Sequence, residues 1–451
     1  MTKFTKTLLG GVTLLALLAA GCSLDTPDPV TLDYTLEGAE YFESYAAIGN
    51  SLTAGFMDGG LVMNGQVNSY PQLLASVLGA KSFTFQQPLI AFPGIGSSTP
   101  SDPANAAGVL HFDGAGISIV GETPLVDVQS NLLLAMLYPV PYNNLGVPGA
   151  TTWDVSNALD SSTSQSPGNS YFDFILRNPT LGNVNMIDQA IALGPKLVTC
   201  WIGNNDILGG ATSGEPVVGV SVTPTANFTA MFEAILDDLT DGVEGRHGHT
   251  PAIFVGNVPS IASAPYFVPK ALFDVMAGNP IPCDEDAVFV RFPALSYLAA
   301  GGPVPLPEEW TLDAAEVGVV DTAVTEYNAA IAAAVAARDN VWLYDANAVL
   351  AGLDPNTAAA HFLALVGTVG IETAAATTYF SLDGIHPNNR GYGLVANGFI
   401  DAINAALGTT LPQIDIGALI WDPTYGQLTP PAKRDGLITP EAASAMDAIF
   451  R

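Results

Sequence analysis

Residues 45–56 read YAAIGNSLTAGF. Tyr45 to Ile48 is an unbroken apolar run, Gly49-Asn50 interrupts it, and Leu52-Thr53-Ala54 can open a helix, so the stretch reads as strand, sharp turn, helix start. Ser51 sits in that turn. A serine there either presents its side chain at the end of a sheet strand or caps the helix, its hydroxyl accepting from the first free backbone NH groups. The same pattern returns along the chain. LVTCWIGNND (197–206), AIFVGNVPS (252–260) and NVWLYDANAVL (340–350) are apolar, β-branched or aromatic runs that end in Gly, Asn or Asp. Between them lie helical patterns, TANFTAMFEAILDDLTDGV (225–243) and AAEVGVVDTAVTEYNAAIAAAVAARD (314–339). Strands that are almost wholly apolar, alternating with helices, predict a parallel sheet covered on both faces. Sites in such sheets form at the carboxyl ends of the strands, which is where Ser51, Asn205 and Asn257 fall.

With 451 residues, 49% apolar content and no internal repeat, the chain can bury one large core or two ordinary ones. The last clear core element is HPNNRGYGLVANGFIDAINAALG (386–408), where Tyr392, Val395, Phe399, Ile403 and Leu407 recur every three or four residues and Gly408 is a natural stop. Residues 80–130 and 262–312 lack regular periodicity and are rich in Gly and Pro, so they read as insertions. The expected organisation is one domain over 41–408 with those insertions, followed by an extension at 409–451 ending in a helix capped by Thr439 and Pro440.

At the N-terminus, Lys3 and Lys6 precede TLLGGVTLLALLAA (7–20), too short to span a bilayer but suited to the apolar part of an export signal. LAAGCS (18–23) resembles the lipobox of bacterial lipoproteins, which implies removal of residues 1–21 and acylation of Cys22. Residues 22–40, with Pro27 and Pro29, then form an extended tether, and the protein is anchored to a membrane, outside the cytoplasm. The alternative is a plain signal peptide with a leftover cysteine. Cys200 and Cys283 can pair in that compartment or stay as thiols.

Asp and Glu number 43 against 13 Lys and Arg, a formal charge of −30. Nucleic acid is therefore not an expected partner, because basic groups supply most of that affinity. The acids are spread through structured sequence, and such a surface repels itself unless counterions screen it, so a high-salt habitat is expected. The acidic run CDED (283–286) lacks regularly spaced oxygen ligands and reads as a solvated patch; no metal or cofactor is expected.

The chain has five histidines. His386 lies in SLDGIHPNNRGY, with Asp383 three residues before it, a spacing at which a carboxylate can reach the near ring nitrogen while the far one faces outward. His111, His247, His249 and His361 lack such a companion and read as surface or core residues. An Asp-x-x-His pair alone is more often structural. Four blocks in order change that reading: GNSLTAG with Ser51, NNLGVPGATTWD with Gly149, IGNNDI with Asn205, and DGIHP with Asp383 and His386. This set resembles the SGNH, or GDSL-type, hydrolase family between about residues 45 and 405. Asn50 stands where that family usually has Asp before the serine.

The resemblance implies a flavodoxin-like three-layer α/β/α fold and a serine esterase. It makes Ser51 the nucleophile, His386 the general base and acid, and Asp383 the group orienting His386. The backbone NH groups of Ser51 and Gly149 and the side-chain amide of Asn205 would form the oxyanion hole. An ester substrate is expected, either an acylglycerol or phospholipid, which suits anchoring and the apolar Leu132–Leu137 and Tyr266-Phe267, or an O-acetylated polysaccharide. A different class is a surface lipoprotein that keeps the fold and binds glycan or lipid without turnover.

Overall fold

Five runs make the central sheet: β1 (Tyr45–Gly49), β2 (Asn144–Gly146), β3 (Leu197–Trp201), β4 (Ala252–Gly256) and β5 (Val341–Tyr344). The computed structural model describes residues 39–79, 85–97, 105–114, 116–124, 138–177, 180–353, 377–427 and 438–448. The expected signal segment, Cys22, the tether up to residue 38, Leu132–Leu137 and His361 lie outside those residues. All neighbouring strands pair in parallel, in the order β2-β1-β3-β4-β5, which is the flavodoxin-like order. Every residue of β1, β2, β3 and β4 is buried, which is why β1, β3 and β4 are written as almost wholly apolar runs.

Alternation is present, but both sides of it are hydrophobic. Ile48, Val198, Cys200, Ile253 and Val255 face one core, while Tyr45, Ala47, Leu197, Trp201 and Phe254 face the other. Along the chain the principal helices are α1 (Ser51–Ala54), α2 (Tyr70–Val77), α3 (Met186–Leu193), α4 (Asn205–Ser213), α5 (Thr225–His247), α6 (Ala314–Ala336), α7 (Asn389–Leu407) and α8 (Pro440–Ala448). The first core is closed by Met186 and Ile187 of α3, Phe232 and Leu236 of α5, and Val320 and Tyr327 of α6. The second is closed by Tyr70 and Leu74 of α2 and by Tyr392, Val395, Phe399 and Ile403 of α7. This is a three-layer α/β/α arrangement, as expected. Each fully buried aliphatic or aromatic side chain contributes about 1.5–3 kcal/mol, so α7 is fixed mainly by its apolar face.

The insertions carry structure of their own. Within 262–312, Phe267–Pro269, Ala287–Arg291 and Thr311–Asp313 form an antiparallel sheet. In and beside 80–130, two-stranded pairs join Gly60–Leu61 to Ile95–Gly96, Asn105–Ala106 to Thr123–Pro124, and Leu110–Phe112 to Ile117–Ile119. Strands this short leave no readable period. Past residue 409 the chain packs back on the domain: Trp421, Ile438, Ala442 and Met446 are buried in the first core. Thr439 does cap α8, its Oγ1 accepting from Ala442 N at 3.1 Å. Cys200 is a buried thiol and Cys283 a half-buried one; neither is in a disulfide. Among the described residues, no helix is long and apolar enough to cross a membrane.

Candidate active site

Sheet register brings three of the sequence blocks together. Gly49 of β1 pairs with Trp201 of β3 on one side and Gly146 of β2 on the other. Ser51, Asn205 and Gly149 lie just past those ends, at the carboxyl edge of three adjacent strands. Chain direction across the sheet reverses between β1 and β3, the place where such folds bind ligands. Gly49 cannot carry a side chain, because a Cβ there would meet Thr53 Oγ1 at 2.2 Å and Trp201 O at 2.4 Å.

The helix-capping reading of Ser51 does not describe this turn. Asn50 is the cap of α1, its Oδ1 accepting from Leu52 N at 3.0 Å. Asn50 Nδ2 also donates to Asn204 Oδ1 at 3.0 Å, tying the turn after β1 to the turn after β3. An aspartate at 50 would have no hydrogen to give there. Ser51 Oγ instead faces His386 Nε2 at 2.8 Å, and His386 Nδ1 lies 3.1 Å from Asp383 Oδ2.

His386 is presented by a tight loop just before α7. Ser381 N donates to His386 O at 2.8 Å and Gly384 N to Ser381 O at 3.0 Å, so Asp383 and His386 project from one turn. The Phe56 ring lies against the imidazole with centroids 4.6 Å apart. Asp383 Oδ1 accepts from Ile385 N and His386 N at 2.9 and 2.8 Å, and Oδ2 accepts from Gly59 N at 2.9 Å as well as from the imidazole. Burial pushes the Asp383 carboxyl up, but the His386 ring and these amides outweigh it and hold the acid below its ordinary value. An ionised Asp383 makes Nδ1 the donor, leaving the Nε2 lone pair toward the Ser51 hydroxyl. That is the geometry of a serine–histidine–carboxylate relay.

Asn205 is the first residue of α4, and its Nδ2 donates to Ala150 O at 2.9 Å. That nitrogen carries a second hydrogen, and Asn205 lines a pocket together with Ser51 and His386. Gly149 occupies the neighbouring turn with φ +83°, and a Cβ there would meet Asn169 Nδ2 at 2.6 Å, so glycine is required twice over. Gly149 does not line the pocket itself; Asn169 Nδ2, bonded to Pro148 O at 2.8 Å, holds its turn in place.

The pocket encloses about 860 Å³ when the part open to solvent is counted. Leu52, Ile207, Leu208, Val258, Ile261 and Val324 are among its walls. None of the other described histidines lines it: His111 is buried in a hairpin, and His247 and His249 reach the carbonyls of Ile191 and Pro195. Asn257 lies just past the end of β4, as expected, but does not line the pocket; it binds Asp345 Oδ1 and Asn347 N at 2.8 Å, fastening the turns after β4 and β5.

The sequence model of the GDSL-like Lipase/Acylhydrolase family matches residues 45–399, from the first strand of the sheet into α7. The chain belongs to that family. No curated protein matches it closely enough to be compared. As a GDSL-like lipase/acylhydrolase it has a general ester-hydrolysing function. The residues brought to the pocket are those the resemblance named: Ser51, His386 and Asn205 on its wall, Asp383 behind the histidine, and Gly149 in the adjoining turn.

One buried feature beside the site had no sequence signal. Asp58, fully buried with φ +55°, accepts from Leu382 N at 2.8 Å, Trp421 Nε1 at 3.1 Å and Tyr425 OH at 2.7 Å, while its own NH donates to Ser381 Oγ at 3.0 Å. It joins the turn after α1, the Asp383–His386 loop and the segment beyond 409. Burial pushes its carboxyl up to about 7 against those donors. In MDGG it reads as an ordinary turn acid.

Proposed function

We propose that the protein is a serine hydrolase that cleaves carboxylic esters through an acyl-enzyme. Ser51 Oγ attacks the ester carbonyl as its proton passes to His386 Nε2; the alcohol leaves with that proton, and a water activated by the same nitrogen then releases the acid. Asp383 holds His386 in the tautomer that accepts. The Asn205 amide and the Ser51 and Gly149 NH groups stabilise the oxyanion. The observation carrying this reading is the 2.8 and 3.1 Å Ser51–His386–Asp383 relay at the wall of an apolar pocket.

The apolar wall favours an acyl chain longer than acetyl over an O-acetyl sugar, because each buried methylene adds about 0.8 kcal/mol. Purified enzyme lacking residues 1–22, assayed on p-nitrophenyl acetate, butyrate, octanoate and palmitate from low to multimolar salt, is expected to prefer a chain longer than acetate and to gain activity with salt. A fluorophosphonate is expected to label Ser51. Acetate as the best substrate would favour the deacetylase reading, and a folded protein that neither turns over nor labels would leave the non-catalytic binding lipoprotein.

The N-terminal motif supports export and acylation at Cys22, which leaves the enzyme outside the cytoplasm on a bacterial membrane. Cells fed labelled palmitate are expected to mark the wild type and not Cys22→Ser; equal labelling of both removes the anchor.

A further inference from the structure

The first turn of α4 separates two cavities, one mostly apolar and one of mixed lining that is richer in polar groups. Ile207 and Leu208 face the apolar pocket beside Ser51, whereas Asp206 and Gly209 face a second, open pocket of about 1360 Å³ including its mouth. Asn205 lines both. The walls of the second pocket include Thr151, Gln165, Ser166, Thr223 and Asn227 around the half-buried Trp153. Thr151 follows directly on the Gly149–Ala150 turn, so this pocket begins where the oxyanion donors end.

An ester bound with its carbonyl oxygen toward Asn205 has two substituents, which leave the trigonal carbon in different directions. One enters the apolar pocket; the other meets the polar one. Resting on the serine-hydrolase reading above, we propose that the second pocket holds the alcohol portion of the substrate, and that this alcohol is an uncharged polyhydroxyl group.

Three observations support that chemistry. No Lys, Arg or His lines the second pocket, and the charged residue that does, Asp206, is an acid; a phosphate or carboxylate headgroup finds no cation there. The chain as a whole carries a formal charge of −30, which adds repulsion. Hydroxyls, by contrast, meet both donors and acceptors: the side-chain amides of Gln165 and Asn227 carry hydrogens and carbonyl oxygens, and the Ser166 hydroxyl does both. Trp153 supplies a flat apolar face for the C–H side of a polyol. The substrate class is therefore an acyl ester of a neutral polyol, as opposed to a phospholipid.

The test compares esters that share one acyl chain and differ in alcohol: p-nitrophenyl butyrate, monobutyryl glycerol, butyryl glucose and dibutyryl glycerophosphocholine. Wild type is expected to hydrolyse the glycerol or glucose ester well above the phosphocholine ester, and the better of the two neutral esters identifies the source. Trp153→Ala, and separately the exposed Gln165→Ala, are expected to lower the ratio of kcat/KM for the polyol ester over that for the p-nitrophenyl ester at least about tenfold, chiefly through KM, the loss expected from one removed contact. Trp153→Phe is expected to restore part of the ratio. An unchanged ratio in both variants, or preference for the phosphocholine ester, overturns the subsite and leaves the serine mechanism standing. Absence of hydrolysis of every ester by folded wild type overturns both.

Discussion

Ser51→Ala is expected to lower kcat/KM for p-nitrophenyl butyrate by about 10⁶-fold, down to what binding and the oxyanion donors supply by themselves. Ser51 Oγ lies within hydrogen-bond reach of His386 Nε2, at 2.8 Å, so its removal takes away the nucleophile and the imidazole's contact with it. The fold should hardly notice. Asn50, not Ser51, caps α1, so the variant loses one side-chain hydrogen bond, about 0.5–1.5 kcal/mol. The melting temperature is then expected to shift by no more than about 4 °C, measured beside the rates. His386→Ala should cost about as much as Ser51→Ala, and the double variant no more than either, because groups acting as a unit do not add. A Ser51→Ala enzyme that keeps as much as about a hundredth of wild-type turnover, free of contaminating esterase, would show that another group attacks the ester.

What could be read from sequence follows from where each constraint is recorded. β1, β3, β4 and β5 were legible because strands buried on both faces are written as continuous apolar runs. β2 was not: it is three residues long and starts with Asn144, a polar residue whose Nδ2 donates to Thr53 O at 2.8 Å, a bond with no periodic trace. The Asp383–His386 pair was legible for the opposite reason, since it is made by a local turn and needs only a three-residue spacing. Ser51 and Asn205 were found through their order in the resemblance, and register explains their proximity. Asp58 shows where reading stops. Its environment is built by Trp421, 363 residues away, and by Tyr425, and nothing near MDGG in sequence announces them. The polar pocket behind Asn205 is of the same kind: its walls come from α4, α5, the short helix Thr152–Asn157 that carries Trp153, and the loops around Gln165 and Val220, each unremarkable as sequence.

Asp383→Asn is expected to lower kcat/KM about 10⁴-fold with the site otherwise intact. The reason is the number of donors around this carboxylate. One side, Oδ1, takes two amide hydrogens, from Ile385 and His386; the other, Oδ2, takes one from Gly59 and one from the imidazole. An asparagine places its carbonyl best toward the two amides, since the reverse orientation leaves both unpaired. Its NH₂ then faces His386 Nδ1, which must become an acceptor, so the ring proton moves to Nε2. A protonated Nε2 cannot take the hydrogen of Ser51. The same orientation sets the NH₂ against Gly59 NH, and an unpaired buried donor costs about 1–3 kcal/mol, so the variant should also melt lower. The pH dependence has a definite sign. Asp383 is held below its ordinary value in the fold, so its contribution to stability is present above the unfolded value near 4 and fades as pH falls through the lower folded value. The gap in melting temperature between wild type and Asp383→Asn should therefore narrow in acid. Activity within about tenfold of wild type at neutral pH would mean that Asp383 holds the loop without setting the tautomer.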